Sequence, residues 1–75
     1  MEVVYSNAQM IMHSKNEFYI DFYLLSADQP KIQGAKPLVR VYMNPEVVIK
    51  FRDALERNIG KFIEQHVKPE KVRKG

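Results

Sequence analysis

Met43-Asn44-Pro45-Glu46 divides the 75-residue chain into two stretches of different periodicity. Before it, apolar residues alternate as they do along strands; after it, they recur three and four positions apart, as along a helix. The tetrapeptide is itself a helix start. The Asn44 side-chain oxygen can accept from a first-turn N–H, and Pro45 suits the first helical position, where its missing N–H costs nothing. Glu46 complements the positive end of the peptide dipoles.

Downstream, Val47, Val48, Phe51, Ala54, Leu55, Ile59, Phe62, Ile63 and His66 form one apolar stripe, so the spacing predicts a helix to about Val67. Its polar side offers Glu46 with Lys50, Arg52 with Glu56, Asp53 with Arg57 and Glu64 with Lys68 as pairs four apart. Gly60 interrupts it at a cost of about 1 kcal/mol relative to alanine. Either that cost is simply tolerated, or another backbone closes on the glycine.

Upstream, Ala8–His13 has the alternation of a short strand, residues 17–25 form the clearest strand, and residues 38–43 a third. Ser14-Lys15-Asn16 has turn composition and suits a three-residue hairpin loop with Asn16 left-handed. Residues 26–37, with Asp28, Pro30, Gly34 and Pro37, read as a long connection. Pairing the strands by their faces sets Met10 and Met12 against Ile20 and Phe18, and Phe22 and Ile20 against Val39 and Val41, all turned to the helix. The far face then gathers Ile11, Tyr19, Asp21, Tyr23, Leu38, Arg40 and Tyr42, with Asp21 opposite Arg40 and Tyr19 opposite Tyr42. The expected fold is α+β: a three-stranded antiparallel meander followed by one long C-terminal helix, one domain over residues 1–67.

The net charge of +3 is unevenly placed. Residues 1–67 balance eight basic against eight acidic side chains, and the excess lies in Lys68, Lys71, Arg73 and Lys74, opposed by Glu70. Residues 68–75 are expected to form a basic, mobile tail. There is no cysteine, which excludes disulfides and thiolate zinc sites, and no apolar run approaches the roughly 20 residues of a membrane span. Met1 to Tyr5 lacks the basic and apolar regions of a secretory signal, so a cytoplasmic protein is expected.

Catalytic, metal and cofactor sites are not expected. His13 and His66 fall on different elements, the serines lack a general base, and no glycine-rich phosphate loop is present. A face of tyrosine and aliphatic side chains on so small a domain instead calls for a cover. The expectation is a homodimeric binding or adaptor module, joined through that face or the overhanging helix, with another protein as a further partner. The alternative is a single-stranded nucleic-acid binder in which bases stack on the tyrosines and Lys68, Lys71, Arg73 and Lys74 meet phosphates.

The ordered set Tyr5-x-Asn7, Ser14-x-x-x-Phe18 leading into Asp21-Phe22, Val39-Arg40-Val41-x-Met43-x-Pro45, then Ala54-Leu55 and Asn58-Ile59 before Lys61-Phe62 resembles the small prokaryotic family known as domain of unknown function 3467. The resemblance runs from Tyr5 to His66 and implies a compact bacterial or archaeal protein. Asp21 and Arg40 fall within its motifs, and it implies no activity.

Overall fold

The computed structural model describes residues 1–67. Three strands, β1 (Ala8–His13), β2 (Phe18–Tyr23) and β3 (Val39–Met43), precede helix α1 (Pro45–Phe62), and the chain continues as a π-helical turn over Ile63–Val67. The fold is α+β, with strand order β1-β2-β3 and both neighbours antiparallel. The described residues form two compact units that divide between Pro45 and Glu46.

In the first unit, β2 to β3 pairing follows the expected register: Ile20 faces Val41, Asp21 faces Arg40 and Tyr19 faces Tyr42. The β1 to β2 register differs by one residue. Met10 faces Asp21, Met12 faces Tyr19 and Ile11 faces Ile20. Loop parity is the cause. Between the facing residues His13 and Phe18 the connection spans four residues, 14–17, closed by the Ser14 N–H on the Glu17 carbonyl at 2.8 Å. Among the described residues only glycine takes a positive φ, so Asn16 is not left-handed and the expected three-residue loop does not form. An all-negative-φ turn needs the extra residue, and adding one residue to a hairpin loop exchanges the faces of the strand it precedes.

Both outer strands bulge at the same end of β2. The Asn7 N–H donates to the Tyr23 carbonyl (3.0 Å), which Ala8 already faces, and the Leu38 N–H donates to the Phe22 carbonyl (2.7 Å), which Val39 faces. Two residues thus oppose one on either side. Beyond the first bulge, side chains extend the ladder. Asn7 Oδ1 accepts from the Leu25 N–H at 2.8 Å, and Asn7 Nδ2 donates to the Leu25 carbonyl at 3.1 Å, as a strand backbone would. Ser6 Oγ caps the neighbouring Tyr23 carbonyl at 3.0 Å.

The long connection is built from two tight turns. Ser26 and Gln29 exchange backbone hydrogen bonds at 3.1 Å, and the Ala35 N–H closes on the Ile32 carbonyl at 2.9 Å. Gly34 has φ 82°, as the third position of a type II turn requires. The Gln29 amide joins the two turns, donating to the carbonyls of Lys31 and Gln33 at 3.2 Å each.

Asn44, the residue before α1, stands at the cap position; in the second unit Glu46 lies in the first turn of α1 and Lys61 in the last, both favourably placed on the peptide dipole. The α-helical part ends at Phe62, five residues short of the expected Val67, where the final turn widens. His66 stays within the stripe, its ring 5.1 Å from that of Phe62. Arg52 pairs with its neighbour Asp53 at 3.0 Å rather than with Glu56, an exposed pair that contributes little. A Cβ added to Gly60 would meet nothing within 4 Å.

Candidate docking face

β2 is the central strand, so its side chains are covered from both flanks, and its odd-numbered residues define the face of interest. Tyr19, Asp21 and Tyr23 lie there. Met10 and Met12 from β1 oppose them on one side, and Arg40 and Tyr42 from β3 on the other. Leu38, nearly half exposed, precedes Arg40 at the bulge. The register thus brings Tyr19, Asp21, Tyr23, Arg40 and Tyr42 together; Ile11 falls on the opposite face with Ile20, and Leu38, expected opposite Tyr23, lies outside the paired register, its N–H on the Phe22 carbonyl. Met10 and Met12 replace Ile11. The length of the Ser14-to-Glu17 loop was the signal in the sequence that could have found them.

A single guanidinium organises this face. Arg40 Nε donates to Asp21 Oδ1 at 2.7 Å and Nη2 to Oδ2 at 2.9 Å, a two-pronged match that only a planar donor can make. The same group lies 3.9 Å from the centre of the Tyr19 ring, so its charge also meets a π-face. Tyr19 in turn meets Tyr42 edge-on, with ring centres 5.5 Å apart and planes at 60°. Tyr42, Arg40 and Tyr19 form one interlocked row above Asp21.

Exposure grades across the face, from the central strand to β3. Asp21 is 4% exposed and Tyr23 5%, whereas Tyr42 is 55% exposed. The hydrogen bonds from Arg40 hold the Asp21 carboxyl below its ordinary value; burial opposes this, and the cation's charge adds to it. Arg40 is pushed above its ordinary value, by Asp21 first and by Tyr42 next. Both carboxylate oxygens are thus engaged, leaving the pair a neutral, prearranged patch among apolar side chains.

Beside the row, at the hairpin end, Met12, His13, Ser14, Glu17, Tyr19 and Tyr42 line a shallow open depression of about 240 Å³. His13 belongs mainly to the other face, where its ring stacks on Phe18 at 5.3 Å. His66 lies in the second unit, and Lys68, Lys71, Arg73 and Lys74 lie outside the described residues. Among the described residues no group of three or more histidine, cysteine or acidic side chains could hold a metal ion, and no helix is long and apolar enough to cross a membrane.

The part played by Asn7 is not legible locally, where Tyr5-Ser6-Asn7 reads as a turn or strand entry. Its amide completes pairing at the end of β2 where Tyr23 is buried.

No curated protein and no solved structure matches the chain. A family model does: the one described as a protein of unknown function (DUF3467) aligns with residues 1–69, nearly the whole chain. The ordered motifs around Asp21, Arg40 and Pro45 and the family-model match agree, and the chain belongs to the DUF3467 family.

Proposed function

We propose that the protein is a cytoplasmic, non-enzymatic binding module that acts as a homodimer and offers the tyrosine face to another protein. One observation carries this. Among the described residues only Ile20, Asp21 and Tyr23 are buried, while Met10, Met12 and Tyr42 on the tyrosine face and Ile11, Val39 and Val41 on the other are 38–61% exposed. A chain of this size with so small a core and no cysteine gains its missing burial from association. Tyrosine, methionine and arginine are the residues enriched where proteins meet proteins. Sedimentation equilibrium should give twice the chain mass, and a monomer at all concentrations refutes the homodimer. Peptides selected on the wild type should lose binding to Tyr42→Glu; selection that is indifferent to this change refutes the face.

The stacked Tyr19 and Tyr42 rings also suit single-stranded nucleic acid. Weighing against it, Arg40, the one cation among the described residues of β2 and β3, is paired with Asp21 and so is not free for phosphate. An oligonucleotide that binds, weakens steeply with salt and is lost on removing residues 68–75 would overturn the protein-binding proposal in favour of this one.

A further inference from the structure

Among the described residues β1 is an edge strand that pairs on one side alone, and its own sequence lacks the usual protection. It lies at the end of the sheet, and its sequence Ala-Gln-Met-Ile-Met-His carries no lysine, arginine, acid or proline. Native edges are normally guarded by such residues. The other edge, β3, follows Lys36-Pro37 and carries Arg40.

The backbone of β1 is directed in a known way. Hydrogen-bonded pairs alternate along an antiparallel ladder. Counting back from the Ser14 to Glu17 bond, the pairs made with β2 are those of Met12, Met10 and Ala8. The N–H and C=O groups of Gln9, Ile11 and His13 therefore point to the open side. Ile11 is also the most exposed side chain of the strand that is apolar, at 61%.

We infer that β1 pairs antiparallel with β1 of a second copy, about a two-fold axis through Ile11, to make one continuous six-stranded sheet. This rests on the homodimer proposed above and assigns its contact. Opposed residues of an antiparallel pair share a face, so this axis sets Ile11 on Ile11, Met10 on Met12 and Gln9 on His13. Apolar groups meet apolar groups, and polar groups meet polar groups. An axis through Met10 would instead set Gln9 against Ile11. A second copy is favoured over a foreign strand because β1 complements itself in this register and its lack of charged residues brings no like charges together. Both tyrosine faces then lie on the same side of the joined sheet, doubling the docking surface.

The full chain tests this with three variants. Ile11→Pro removes an outward N–H and leaves the bonds to β2 in place, since proline is tolerated at such edge positions. By sedimentation equilibrium it should weaken the dimer roughly tenfold or more, with unchanged far-ultraviolet circular dichroism. Ile11→Cys, in a chain without other cysteines, should oxidise to a covalent dimer, because the expected Cα separation of about 5.5 Å suits a disulfide. Val41→Cys should not. The cysteine variants also decide the matter if the proline variant fails to fold. A dimer that ignores Ile11→Pro, leaves Ile11→Cys uncrosslinked, or falls apart with Tyr42→Glu overturns the edge contact and leaves the homodimer standing. A monomeric wild type overturns both.

Discussion

Replacing Gly60 with alanine should make the protein more stable. Glycine in a helix costs about 0.5–1 kcal/mol relative to alanine, because the unfolded chain loses more freedom when it orders. Whether alanine recovers that amount depends on space and backbone angles. The added Cβ meets no atom within 4 Å, and Gly60 is not among the residues with positive φ. No clash or backbone strain therefore offsets the gain. Gly60 lies near the end of the α-helical segment, which stops at Phe62, and fraying there places the gain toward the lower part of the range. For a domain of 60–100 residues, about 0.5–1 kcal/mol raises Tm by roughly 2–8 °C. Thermal and urea unfolding followed at 222 nm, at one protein concentration because association shifts Tm, would measure it. A fall in stability of similar size would refute the reasoning. It would mean that a backbone, from a second copy or a bound partner, lies where the new methyl must go.

Gly34→Ala should act in the opposite direction, lowering stability by about 1 kcal/mol in urea unfolding, since φ 82° is strained for any residue with a Cβ. Asn7→Ala removes both side-chain bonds to Leu25 and should cost about 1–2 kcal/mol, with faster amide exchange at Leu25 as its local signature. Ile20→Ala, at the centre of the sheet and 5% exposed, should cost about 2–3 kcal/mol by the same measurement. Asp21→Asn concerns pH. The folded carboxyl is lowered, so the stability it provides is present above the unfolded-state value of about 3.9 and drains away as pH falls from there through the folded value. The variant should be less stable near neutrality and flatter across that acid limb, as measured by urea midpoints against pH. A variant matching the wild type at every pH would count against the pair.

The legible parts of the sequence were those where two independent signals agreed. Asn44-Pro45-Glu46 combined a cap, a fixed φ and a favourable charge, and α1 begins at Pro45. The β2 to β3 register combined apolar alternation with an acid facing a base, and Asp21 does face Arg40. β1 lacked a second signal. Its alternation, Ala8, Met10 and Met12 against Gln9, Ile11 and His13, showed which residues share a face but not which face of β2 they join, and the hairpin loop decided the matter. That single slip removed Ile11 from the tyrosine face. The widened final turn at Ile63–Val67 has no marker in composition, and the strand-like use of Asn7 depends on Leu25, eighteen residues away.

That use of Asn7 makes the molecule sensitive to chemical ageing. Hydrolysis of the amide to a carboxylate would exchange the donor that meets the Leu25 carbonyl for an oxygen, setting two acceptors 3.1 Å apart beside the end of β2. A neutral rung would become a repulsive one, with no change in side-chain size to signal the damage. Old preparations should therefore loosen first at the Asn7 and Leu25 end, far along the strand from the hairpin.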